Sequence, residues 1–113
     1  NNNTMRKITK EVVGAFNRGE SRKIGNTQSL EYQYGVSLFL FGNRIALKNR
    51  EDNELYVSLC GWDTVTTRER LNGIPGVHVY RQKGQTYLNG KPWSGALVAM
   101  VPYDTGAGII LTW

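Results

Sequence analysis

Cysteine is almost missing from this sequence. Cys60 stands alone, so no internal disulfide can form and no cysteine-based zinc site can be built. Histidine is as scarce: His78 is the single imidazole, and one histidine among scattered acids gives no metal-ligand spacing. No apolar run approaches the roughly 20 residues that cross a bilayer, so no membrane partner is expected. The first residues, Asn1 to Met5, lack the basic-then-apolar plan of a signal peptide. Neither the Walker A spacing nor a dinucleotide fingerprint is present, so no cofactor is expected. Acids are also short: 9 Asp and Glu face 14 Lys and Arg, for a net charge of +5. These gaps lead to the expectation of an intracellular protein in a reducing setting.

What is present fits one domain. With 113 residues, 40% hydrophobic and 20% charged, the chain is long enough for a modest core and too apolar for wholesale disorder. Residues 1–113 are therefore read as a single domain with no internal repeat. The excess charge is local. Arg6, Lys7, Lys10, Arg18, Arg22 and Lys23 stand against only Glu11 and Glu20, which places most of the basic character in the N-terminal arm. That asymmetry points to an anionic partner, nucleic acid or a nucleotide first of all. A solvated helix face on a basic protein explains it equally well.

The chain opens on a helical pattern. Met5, Ile8, Val12 and Phe16, with Ala15 beside them, share one face, while Arg6, Lys7 and Lys10 lie off it and Gly19 terminates it. Ser21 to Thr27 reads as a polar connector, whose Gly25-Asn26 turn, near Arg22, Lys23 and Thr27, is either an anion-facing turn or a plain one. From Leu30 the period is two, with a central apolar run from Val36 to Phe41 and a tight turn expected at Gly42-Asn43. Strands follow over Arg44–Lys48 and Leu55–Leu59. Beyond them, Val77–Arg81 alternates, Lys83-Gly84 and Asn89-Gly90 are turn signals, and Pro92 confines its segment to an edge or a loop. Ala96–Val101 and Ile109–Trp113 are two further strand-like runs. The reading is α+β: a curved antiparallel sheet of several short strands, one N-terminal helix packed on it, and one short inserted helix.

That inserted helix carries the most suggestive chemistry. Thr66 with Glu69 three residues on reads as a capping box, Gly73 suits a left-handed position after the helix, and Pro75 stops it. Arg68 and Arg70 then fall near a helix start, where free amides attract anions and where cations are normally unfavourable. The candidate anion-binding residues are thus Arg68, Arg70, Thr66 and Thr67 here, Lys7, Lys10, Arg22 and Lys23 in the basic arm, and Tyr80 as a stacking aromatic. The bland reading pairs one of these arginines with Asp63 or Glu69. Phe16, Phe39 and Trp62 are expected in the core.

Several blocks carry a resemblance. Leu40-Phe41-Gly42-Asn43-Arg44-Ile45-Ala46, Ser58-Leu59-Cys60-Gly61-Trp62, Thr66 to Asn72, and Tyr87-Leu88-Asn89-Gly90-Lys91-Pro92-Trp93 resemble small proteins of tailed bacteriophages. The resemblance spans roughly Arg6 to Trp93. It implies a phage origin and expression in the host cytoplasm, and it supplies no catalytic residues.

Three functions compete on this sequence. The first is a non-catalytic phage accessory protein that binds nucleic acid or a phosphate-bearing nucleotide. The second is an interaction protein that docks on and modulates a host protein, in host takeover or anti-defence. The third is a small metal-independent nuclease, with His78 as acid, Asp63 or Glu69 as base, and Arg68 and Arg70 on the phosphate.

Overall fold

Two-residue turns ending in glycine can join only antiparallel neighbours, and they set the architecture. The computed structural model describes residues 2–104 and 106–113. Its strands are β1 (Arg22–Ile24), β2 (Thr27–Tyr32), β3 (Gly35–Leu40), β4 (Asn43–Asn49) and β5 (Leu55–Val57). They continue as β6 (Val79–Gln82), β7 (Gln85–Leu88), β8 (Lys91–Pro92), β9 (Val98–Asp104) and β10 (Ile109–Thr112). Seven of them form one antiparallel sheet in the order β1-β2-β3-β4-β5-β9-β10, and β6-β7-β8 make a second, small one. The expected α+β meander with one N-terminal helix and one inserted helix is the observed fold.

The N-terminal helix runs as α1 (Asn2–Ile8), a π-helical turn over Thr9–Val13, and α2 (Gly14–Arg18). Gly19 ends it in the left-handed region at φ 74°. The π turn widens the helix by one residue and rotates the apolar stripe. As a result Val13 joins Val12, Ala15 and Phe16 at 1% exposure or less, against the inner face of the sheet. Leu38, Ile45, Val57 and Met100 complete that core from the sheet side. The other face keeps the row Leu30, Ser37, Leu47, Tyr56 and Ala99, cross-strand neighbours by register.

Several local expectations are corrected. The β3–β4 turn is Phe41-Gly42, at φ 51° and 78°, with Asn43 opening β4 rather than closing the turn. Arg22–Ile24 is a strand, because it finds backbone partners on β2 that a connector would lack. Helix α3 (Val65–Asn72) is capped by Thr64, not Thr66: Thr64 is extended at φ −116°, and its side chain accepts from the Thr67 amide at 3.1 Å. Gly73 is right-handed at φ −75°. Its need for glycine is steric, since a Cβ there would lie 2.7 Å from Thr9 Cγ2 and 3.1 Å from Val13 Cγ1. Of the three aromatics expected inside, Phe16 is buried, Phe39 is half-buried on the outer face, and Trp62 is 61% exposed.

Pro92 lies in β8, on the edge of the small sheet. Pro102 sits in β9 beyond the Val98–Met100 stretch that pairs with β5, so its missing N–H breaks no bond on that side.

Candidate binding site

Helix α3 presents its two arginines very differently. Arg70 is buried at 2% exposure and binds inward. Its Nε donates to Thr27 Oγ1 at 2.9 Å, and Nη1 donates to Thr9 Oγ1 at 2.8 Å and to the Met5 carbonyl at 3.1 Å. Burial pulls its pKa down, and the neighbouring Glu69 charge pulls the other way. Arg70 is a structural tie between α3, the N-terminal helix and β2, and it offers nothing to a surface ligand. The expectation of an anion ligand near the helix start missed that both sides of this short helix meet other elements.

Arg68 stays near the surface but is occupied. It donates to Asp63 Oδ1, while Arg81 donates to Asp63 Oδ2 at 2.9 Å and to Thr86 Oγ1 at 3.1 Å. The Thr86 hydroxyl donates to the same carboxylate. Partial burial alone would raise the Asp63 pKa. The hydrogen bonds from Thr86 and Arg68, with the charges of Arg68 and Arg81, outweigh it and hold the carboxyl below its ordinary range. This hub fastens α3 to the small sheet. It is the bland pairing for Arg68, with Arg81 and Thr86 as partners that sequence spacing did not reveal.

Of the groups named for a nuclease, Asp63 and His78 are not brought together. Arg81 and Thr86 lie opposite one another on the face of the small sheet that carries buried Val79 and Leu88. His78 and Tyr80 point the other way, with Tyr80 stacked on Tyr87 at 5.1 Å and His78 5.1 Å from Tyr80. Asp63 and His78 thus occupy opposite faces. Tyr80 belongs to that aromatic ladder, away from Arg68. Among the described residues no three His, Cys, Asp or Glu side chains gather into a metal site.

The basic arm does come together. Arg22 of β1 reaches Glu11 on the helix at 3.5 Å, which joins the two elements into one surface. Arg6, Lys7 and Lys10 are exposed along that helix, and Lys23 is exposed at the next position of β1 on the opposite face of the sheet. No ion pair reaches any of them among the described residues. Thr66 is half-buried, and Thr67 is buried with its hydroxyl 2.9 Å from that of Thr64.

One feature escaped the sequence. A pocket of about 330 Å³ opens where the sheet meets the start of α3, floored by Leu40, Ile45 and Leu59. Phe41 and Trp62, 73% and 61% exposed, stand at its mouth, with Asn43, Thr64 and Thr67 as its polar lining. The Phe41 amide donates to the Asn26 carbonyl at 2.8 Å, so the β1–β2 and β3–β4 turns abut at this end. The available signal was Phe41-Gly42 itself, an aromatic in a turn position that favours Asn.

A helix-backed antiparallel sheet with a basic edge and an aromatic-walled pocket defines a small, layered α+β protein. The chain belongs to the Kyanoviridae Gp96 protein family, a phage family whose family model matches residues 5–109. The match reaches past Ser94 into β9, beyond the blocks on which the resemblance rested. No curated protein and no solved structure matches the chain. No helix among the described residues is long and apolar enough to cross a membrane.

Proposed function

We propose that this phage protein is a non-catalytic accessory protein that binds nucleic acid through its basic N-terminal surface in the host cytoplasm. The observation that carries this reading is the set Arg6, Lys7 and Lys10 on the helix, with Arg22 joined to it through Glu11 and Lys23 on the same edge strand. Arg6, Lys7, Lys10 and Lys23 are exposed and without ion pairs among the described residues. Elsewhere most arginines are matched: Arg18 with Glu20, Arg50 with Glu31, Arg68 and Arg81 with Asp63. Unmatched, clustered cations are what a phosphate backbone neutralises, with release of its counterions. Arg68 and Arg70 are not part of this surface. Binding should therefore weaken steeply as salt rises. Lys7→Ala with Lys10→Ala should flatten the log–log salt slope by about 0.7 per lysine on a single strand, with the melting temperature unchanged. A salt-independent affinity, or none at low salt, rejects the reading.

Docking on a host protein is the second reading. It is favoured by the exposed apolar cluster of Phe41, Trp62 and Val65, the last 64% exposed. It predicts a complex that survives high salt and is lost on Trp62→Ala.

A further inference from the structure

We infer that the pocket between Phe41 and Trp62 takes an unpaired base of a single nucleic-acid strand, so that the protein selects single strands over duplex. The inference rests on the nucleic-acid reading above and adds to it the site that grips the base.

Phe41 is the first clue. At φ 51° it occupies the left-handed region, where a bulky side chain is unfavourable by roughly 1–2 kcal/mol. The matching positions of two hairpin turns hold Asn89 at φ 49° and Lys83 at φ 50°, each before a glycine and neither aromatic, and Asn is the residue this geometry favours. Phe41 has no packing reward in the folded chain that offsets the strain, because 73% of it is exposed. Strain held without internal gain marks a residue kept for contact with something else.

The pocket chemistry names the contact. Two exposed aromatics at the mouth of an apolar slot offer stacking surface to a flat ring. At about 330 Å³ the slot is at the small end of ligand pockets, sized for one ring system rather than a chain of side chains. Thr64 and Thr67 satisfy each other. The Asn43 side chain makes no hydrogen bond among the described residues, which leaves an amide donor and acceptor for the polar edge of a base. An apolar peptide side chain would leave that amide unpaired.

Charge complementarity selects the polymer. Lys23, Gln28, Phe39 and Arg44 form one cross-strand row just behind the two abutting turns. Lys23 and Arg44 are exposed and have no ion pair among the described residues. Lys23 follows Arg22 on the edge strand β1 but points to the other face, so the helix-side and outer-face cations meet only at that edge. Arg44, next to Asn43 of the pocket lining, and Lys23, next to the turn that abuts Phe41, thus place cations beside the rim, where the phosphates of a strand whose base is in the slot would lie. A base in a duplex is stacked and paired and cannot enter.

The test uses the full chain, an oligothymidine of about a dozen nucleotides, the matching duplex, and thymidine monophosphate. Single strand should quench the tryptophan emission, and the quench should vanish in Trp62→Phe, since Trp93 is only 4% exposed and the half-buried Trp113 lies against Trp93, outside the pocket lining. Phe41→Asn turns the strained position into an Asn-Gly turn. It should raise the melting temperature yet weaken single-strand affinity by about 5- to 150-fold, with the preference over duplex lost. If the wild type binds single strands but Phe41→Asn binds them equally well, the base pocket is overturned and the basic surface stands. If no oligonucleotide binds, the monophosphate decides. Quenching of Trp62 by it upholds the pocket without the polymer, and no quenching overturns both. Salt-resistant capture of an apolar peptide by Phe41 and Trp62, without nucleotide quenching, also overturns it.

Discussion

At the scale of single residues, the two arginines of α3 show how little side-chain type says about role. Arg70 shares its helix with Arg68 and is separated from it by one residue, yet one is a core strut and the other a surface ion pair. Arg70→Ala removes three hydrogen bonds to Thr27, Thr9 and Met5 and opens a cavity among α3, the N-terminal helix and β2. It should cost about 3 kcal/mol or more in denaturant unfolding. Arg68→Ala should cost far less. Gly73 supports a sharper experiment. Gly73→Ala should destabilise by about 1–3 kcal/mol because its methyl meets Thr9 Cγ2. Thr9→Ser deletes that methyl and keeps the hydroxyl bonded to Arg70. In a double-mutant cycle the two changes should therefore cost less together than their sum. Simple additivity would mean that the contact is not the cause.

At the scale of elements, short pieces are held by side chains that reach across. Thr64 caps α3, and Thr64→Ala should lose about 1 kcal/mol while Thr66→Ala loses little, read from thermal unfolding. Equal losses would return the cap to Thr66. The Asp63 hub joins α3 to β6 and β7 and makes that junction sensitive to pH. The folded carboxyl titrates below its ordinary range, so its contribution is complete above the unfolded carboxylate pKa and is lost as pH falls through the folded one. Denaturant midpoints should thus fall on acidification below about pH 4, the ordinary Asp range. Asp63→Asn should flatten that limb; a limb of unchanged steepness would assign it to other acids. The C-terminal end of α2 has a comparable tie. Lys48 donates to the Asn17 carbonyl at 3.3 Å and lies 5.5 Å over the Phe16 ring, and burial lowers its pKa. It serves as a cation at a helix C-terminus.

At the scale of the whole molecule, the helices cover one face of the seven-stranded sheet, and the inserted α3 and small sheet close one end of the core. The strand after the insertion, β9, returns to pair with β5. The antiparallel pairing of β5 with β4, continued by the Ser58 amide to the Ile45 carbonyl, carries the loop after β5, with Trp62 and Thr64, to the tip of the β3–β4 hairpin and makes the pocket. The basic surface is also a product of assembly, since β1 and the helix are separate elements until Arg22 meets Glu11. Charge-neutralising changes on it should alter binding and its salt dependence together, with stability nearly constant. Loss of both binding and melting temperature in the Lys7→Ala and Lys10→Ala pair would mean those lysines face inward.

The sequence by itself determined what short-range physics controls. Period-two runs became strands, Lys83-Gly84 and Asn89-Gly90 became left-handed turns, and the stripe around Val12 and Phe16 became a buried helix face. Each depends on neighbours within a few residues, which a single chain displays. The slips of one or two residues at Phe41-Gly42 and Thr64 arose where adjacent residues offer competing signals, as three threonines do at the start of α3. Only the tertiary structure decided the rest. Whether Arg70 meets solvent or Thr27 depends on a contact 43 residues away, and whether Trp62 packs or projects depends on how the loop after β5 meets the tip of the β3–β4 hairpin. Burial and side-chain partners are set by elements distant in sequence, and periodicity carries no information about distances of that kind.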